Sequence, residues 1–131
     1  MGRPRGFDEN QVLLGAAELF GERGFDAVSV DTVLASLGLS RASFYKIYGS
    51  KHRLFQMALE NVCHRAEVGQ VDDRAKDLVV VALLELAPIS RDHRDLALRA
   101  VELCFHSDAR CIGEHLVSRA VRPHDDPRPT R

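Results

Sequence analysis

Apolar residues recur at helical spacing along most of the 131-residue chain. Val12, Leu13, Ala16, Leu19 and Phe20 fall on one face of a helix predicted over about 8–22, with Asp8 as its N-cap and Gly24 just past its end. Ser29 is placed to cap a second helix over about 30–37, whose apolar residues are Val30, Val33, Leu34 and Leu37. Gly38-Leu39-Ser40 follows, and Ser40 can cap a short third helix over about 41–47. Ser50 opens a longer fourth helix over about 51–66, with Leu54, Phe55, Ala58, Leu59 and Val62 on one face. The apolar stretch 77–87 reads as a buried helix stopped by Pro88. Ser90 then starts a helix over about 91–105 with Leu96, Ala97, Ala100, Val101 and Cys104 inward. A last helix over about 110–121 carries Ile112, Leu116, Val117 and Ala120. The proline-containing tail 123–131 is predicted to be disordered. No segment alternates with period two between turn residues, so the fold class is all-α.

Composition narrows the function classes. A hydrophobic fraction of 45% with 28% charged residues is that of a globular protein and excludes wholesale disorder. The longest apolar run, over 78–84, is far short of the roughly 18 residues a spanning helix needs. No apolar stretch follows Met1-Gly2-Arg3-Pro4-Arg5, so no secretory signal is expected, and three cysteines fit reduced thiols better than a disulfide framework. A cytoplasmic location without a membrane partner is the expectation. No Gly-rich phosphate loop, nucleophile elbow or HExxH is present, and Glu85, Glu102 and Glu114 fall on polar helix faces where solvation accounts for them. Catalytic residues, an enzymatic activity and a cofactor are therefore not expected.

Net charge is only −1, but its distribution is uneven. No acid occurs between Asp31 and Glu60, a window that carries Arg41, Lys46, Lys51, Arg53 and His52. A basic stretch free of acids suits a polyanion, although by itself a solvated face is the better reading of it. Two short helices joined by Gly38, Leu39 and Ser40 have the form of a helix-turn-helix. Gly38 supplies the positive φ of the turn, Leu39 an apolar plug beneath it, and Ser40 an acceptor for the next helix's amides. A short helix of small and hydroxyl residues can enter a major groove about 12 Å wide.

The run 17–54 resembles the DNA-binding domain of the TetR family of bacterial transcriptional regulators. The matching pieces are Ala17-Glu18-Leu19-Phe20, Gly24-Phe25, Ser29-Val30, Gly38-Leu39-Ser40-Arg41, Ser43-Phe44-Tyr45 and Tyr48-Gly49-Ser50-Lys51 with Leu54; Gly2-Arg3-Pro4-Arg5-Gly6 resembles the basic arm of many members. The resemblance implies that Arg41, Ala42, Ser43 and Lys46 read bases, Arg41 by donating to guanine and Ala42 by touching a thymine methyl. It implies phosphate contacts for Ser29, Tyr45, Tyr48 and Lys51, and minor-groove contacts for Arg3 and Arg5. Aromatic spacing places Phe44, and mostly Tyr48, in the core, while Tyr45 reads as a surface residue. Ser29, Ser40 and Ser50 are helix caps first, and His52 and Arg53 read as solvated. Leu34 stands where the family usually has alanine, and Ile47 where an aromatic is common.

The implied organisation is an arm over 1–7, a helix-turn-helix domain over 8–50, a connecting helix over 51–66, a shortened helical dimerisation or effector region over 67–122, and the tail over 123–131. The implied function is a homodimeric repressor that occupies a pseudo-palindromic site on double-stranded DNA. Whether a small-molecule effector relieves it is left open, because the second half is short for enclosing a pocket. Leu96, Ala100, Val101, Ile112, Leu116 and Val117 are the candidate dimer interface, although they could instead pack within one chain. Two alternatives stand beside this: an interaction module that pairs with a longer relative, and a metal or thiol sensor built from Cys104, His106, Cys111 and His115. Against the metal, Cys104 and Cys111 read as apolar-face positions.

Overall fold

Short oxygen-bearing side chains open every α-helix. Asp8 precedes α1 (Glu9–Arg23), Ser29 precedes α2 (Val30–Leu37), Ser40 precedes α3 (Arg41–Ile47) and Ser50 precedes α4 (Lys51–Glu67). Asp72 precedes α5 (Asp73–Val81), Ser90 precedes α6 (Arg91–Phe105) and Asp108 precedes α7 (Ala109–Val121). Each accepts a hydrogen bond from an amide two or three residues on, which satisfies donors that have no partner inside the helix. The computed structural model describes residues 8–123, and among these the fold is all-α, with no strand. The arm over 1–7 and residues 124–131 of the tail lie outside the described residues.

The largest departure from the predicted elements is in the second half. The helix expected over 77–87 starts earlier, at Asp73, because Asp72 caps it through Ala75 N–H at 2.9 Å. It also does not run on as an α-helix to Pro88. Ala82–Leu86 is a π-helical turn, closed by Ala87 N–H donating to Ala82 O at 2.8 Å. A π turn inserts one extra residue, which rotates the residues after it by about 100° relative to an unbroken helix. Leu84 is thereby exposed, while Glu85 is half-buried and faces α1.

Leu78, Val79, Val80 and Val81 are all buried, as is Ala82 just beyond them, so the C-terminal half of α5 is enclosed all round while its first turns carry charge. α1 packs chiefly on α5 and α4, and α4 also on α6. The approach of α1 to α5 is close: a Cβ added at Gly21 would lie 3.1 Å from both Asp77 Cβ and the Leu78 amide nitrogen. Phe20, Phe25 and Phe55 form a ring cluster where α1, its following corner and α4 meet, with centroids 5.3–5.6 Å apart. The core runs without a break from Val12 to Phe105, and α4 contributes to it along its length.

α7 is fastened by charge rather than by apolar burial. Asp77 on α5 is buried and accepts from His115 Nε2 at 2.7 Å and from Arg122 at 2.8 Å, while Arg119 lies 3.6 Å away and donates to Gly21 O at 2.7 Å. Removing the carboxylate leaves buried His115 without its partner and unfastens Arg119 and Arg122, which keep access to water. Asp77→Ala is expected to lower unfolding stability by about 3 kcal/mol, measured by urea denaturation, with Asp77→Asn losing less; an unchanged midpoint would show that α7 is held by packing alone.

Candidate nucleic-acid interface

The turn between α2 and α3 is closed within three residues. Gly38 is left-handed (φ 67°, ψ 35°), and both its amide and that of Leu39 return to Leu34 O. A Cβ at Gly38 would meet nothing within 4 Å, so the backbone angle, not space, requires glycine there. Leu39 is half-buried against the core, and Ser40 Oγ accepts from Ser43 N–H at 3.0 Å, which starts α3 at once.

α3 is anchored by one face and open on the other. Phe44 is fully buried and Tyr48, just past the helix, is 3% exposed. Arg41, Ala42, Tyr45 and Lys46, which share the opposite stripe of the helix, are exposed, and Ser43 is half-buried beside them. The Tyr45 ring stands edge-on to Phe44, with centroids 4.9 Å apart, so an outward-facing phenol rests on a buried ring. Arg41 pairs with Asp31 in the first turn of α2. Both partners are well exposed, so the pair contributes little stability but fixes where the guanidinium rests. Lys46 makes no ion pair among the described residues. Ser29 is exposed, but its Oγ accepts from Thr32 N–H at 3.1 Å, and Ser50 Oγ likewise caps Arg53 N–H at 3.0 Å. Leu34 is accommodated half-buried, and Ile47 is exposed.

Several expected roles need correction. Lys51 does not extend toward an outside anion: its Nζ donates to Phe25 O at 2.9 Å and Val28 O at 2.7 Å and lies 4.3 Å above the Phe25 ring. Its positive charge is spent on the corner that joins α1 to α2. Tyr48 is not turned toward a phosphate either, because its hydroxyl is buried and, among the described residues, has no hydrogen-bond partner. Glu85, read from sequence as a solvated carboxylate, instead accepts from the amides of Phe25 and Asp26. Nothing near either residue in the sequence marks this pairing, which spans 60 positions. His52 is exposed, as expected, with its ring tilted against Phe25 at a centroid distance of 4.7 Å and its backbone carbonyl 3.3 Å from Nε2 of buried His93. Arg3 and Arg5 lie outside the described residues.

Of the proposed interface residues, Ala100 and Val101 are buried in the chain's own core, because α6 turns that face toward α4 and α5. Leu96 and Ile112 are half-buried against the same core, whereas Leu116 and Val117 are exposed on α7 together with Val121. Cys104, His106, Cys111 and His115 do not come together as a metal site. Cys104 is buried, with burial pushing its thiol up to about 11, and His115 is committed to Asp77. The Cys111 thiol is also raised, by desolvation and then by its hydrogen bond to Asp108, and His106 is an exposed left-handed cap. Thiols raised in this way are poor ligands and poor nucleophiles. Among the described residues, no three His, Cys, Asp or Glu side chains are grouped to hold a metal.

Burial pushes the Tyr48 phenol up to about 12, with Glu9 adding to the shift. Tyr48→Phe removes the orphaned hydroxyl at nearly constant shape and is expected to raise stability by about 1 kcal/mol at neutral pH. A phenol raised in the folded state contributes its full stability below pH 10 and loses it as pH rises through 12, so the advantage of the variant grows above pH 10. DNA affinity unchanged in Tyr48→Phe would accord with a core role; a marked loss would restore Tyr48 as a phosphate contact.

The same segment is similar to known proteins. The family model of bacterial regulatory proteins of the tetR family matches residues 12–58, from α1 to the first turns of α4. An uncharacterised HTH-type transcriptional regulator of Bacillus subtilis, YezE, is 43% identical over 61 residues, covering 47% of this chain and 31% of its own. The HTH-type transcriptional repressor BdcR of Escherichia coli is 32% identical over 130 residues, covering 95% of this chain and 57% of its own. The chain therefore spans about a third to just over half the length of these two relatives. Its fold resembles the crystal structure of PfmR, a TetR family transcriptional regulator of Thermus thermophilus, with a TM-score of 0.51 at 23% identity over 93% of this chain and 77% of that one.

Proposed function

We propose that the chain, whose residues 12–58 match the family model of bacterial regulatory proteins of the tetR family, is a sequence-specific, DNA-binding transcriptional regulator of that family acting as a homodimer. The observation that carries this is the two-faced α3, held from behind by Phe44 and presenting Arg41, Ala42, Tyr45 and Lys46 outward next to a glycine turn. Arg41 and Ala42, in the first turn of α3, are the base readers, with Lys46 one turn further on and Ser43 at the edge of the stripe. Tyr45 and the helix-capping Ser29 supply phosphate contacts. Before Arg41 can reach a guanine it must leave Asp31, so that carboxylate opposes indiscriminate attachment to phosphate. Repression by occupation of a promoter is the sign favoured by the likeness to BdcR, a transcriptional repressor.

A second copy is needed on physical grounds, since one short helix reaches few base pairs and two-fold operators match two-fold proteins. Leu116, Val117 and Val121 on α7 form the exposed apolar stripe that fits this role. A cleft lined by Leu14, Ala17, Val62 and Arg65 has a volume of about 160 Å³, well below the ~300–1,000 Å³ of ordinary ligand sites, so any effector taken there is small.

Selection from a random duplex library by the purified chain is the direct test. The expected outcome is enrichment of a two-fold symmetric sequence with half-sites about one helical turn apart, bound by a dimer, with affinity falling steeply as salt rises. Arg41→Ala is expected to weaken the selected site about tenfold and relax one base position, and Lys46→Ala to lower affinity and shallow the salt dependence. No enriched sequence, or a monomer that binds all duplexes alike, would overturn the proposal in favour of an interaction module.

A further inference from the structure

The corner between α1 and α2 is gripped from two sides by residues distant in sequence. From the π turn after α5, Glu85 Oε1 accepts from Asp26 N–H at 2.9 Å and from Phe25 N–H at 3.2 Å, and Oε2 also lies 3.2 Å from the Phe25 nitrogen. From α4, Lys51 Nζ takes the carbonyls of Phe25 and Val28. The peptide groups of the corner thus point their N–H ends at a carboxylate and their C=O ends at an ammonium, both charge-assisted arrangements. Gly24 is shaped by the same contact. It holds φ 92°, and a Cβ there would lie 2.8 Å from Glu85 Oε2.

Val28 is followed directly by Ser29, the cap of α2, so the corner sets where the helix-turn-helix begins. Among the described residues, the side-chain hydrogen bonds of residues 29–47 stay inside that segment: Ser29 with Thr32, Arg41 with Asp31, Ser40 with Ser43. The charged grip on the corner is therefore the polar link between the C-terminal helices and the DNA-reading pair. We propose that Glu85 is a positioning residue for DNA recognition, its carboxylate holding the α1–α2 corner and, through it, the pose of α2 and α3. This rests on the DNA-binding function proposed for the chain. Glu85 lies within the π turn, whose wider winding turns position 85 away from the direction an unbroken α-helix would give it.

The test uses the full chain with Glu85→Gln, which keeps the shape and one acceptor oxygen, and Glu85→Ala, which keeps neither. Glu102→Gln, on an exposed α6 carboxylate, is the control. Two quantities are measured: affinity for the library-selected duplex against a scrambled duplex, and amide hydrogen exchange residue by residue. In Glu85→Ala, affinity for the selected duplex is expected to fall about tenfold, as when only a tenth of the molecules hold the competent pose. Binding to scrambled duplex should change less than about twofold, since the outward positive charges of Arg41 and Lys46, which attract any duplex, are untouched. Exchange should accelerate at the amides of Phe25 and Asp26 and across α2 and α3, with Glu85→Gln intermediate on both readouts. Equal losses on both duplexes, or faster exchange spread over the whole chain, would reduce Glu85 to a general stabiliser and overturn the proposal, as would unchanged exchange in α2 and α3. If the wild-type chain selects no sequence, the DNA-binding reading fails by itself, and exchange alone then decides whether Glu85 positions the helix pair.

Discussion

The packing of α1 between α4 and α5 is the constraint on which the rest of the structure depends. α2 and α3 have eight and seven residues, too few to be stable as isolated helices, and their fully buried anchors are Val33 and Phe44. Their pose is inherited from the surface that α1 and α4 offer. That surface is built by the Phe20, Phe25 and Phe55 cluster and by the near contact at Gly21, where the first and fifth helices approach almost backbone to backbone. The DNA-reading role proposed for α3 needs a fixed platform, and here the platform draws on residues from both halves of the chain.

On this apolar frame, a few charged groups set direction at one end of α1. Arg119 donates to one carbonyl of its last turn, at Gly21, Glu85 takes the amides just beyond the helix, and Lys51 takes the next carbonyls. Such bonds add modest net stability, because folding exchanges them for bonds to water. Their value is geometric: unlike oily contacts, they are satisfied in one arrangement and costly in the neighbouring ones. The same holds for Asp77, whose several cationic and imidazole partners tie α7 back onto α5.

The division of labour between the two faces of α3 follows from these restraints. With Phe44 and Tyr48 turned inward and Lys51 committed to the corner, the positive charge left facing outward on this helix is Arg41 and Lys46. Arg41 is balanced by Asp31, which leaves the surface less basic than the acid-free stretch over 32–59 suggested. In the proposed function, discrimination among duplexes rests on displacing one ion pair for a better one, not on bulk attraction.

Local rules carried much of this into view from the sequence alone. The bounds of α2, α3 and α6, the caps at Ser29, Ser40, Ser50 and Ser90, and the left-handed Gly38 follow from residue choices within a few positions of where they act. The all-α class and the buried Phe44 follow from periodicity for the same reason. Tertiary structure alone decided the destinations of long polar side chains and the path of the chain at 82–86. A lysine after a serine cap looks the same whether it reaches outward to an anion or back to a carbonyl, and a glutamate after an apolar run looks solvated until a corner 60 residues away offers it two amides. Those outcomes depend on which unsatisfied backbone groups the folded chain brings within about 3 Å, and sequence spacing holds no record of that.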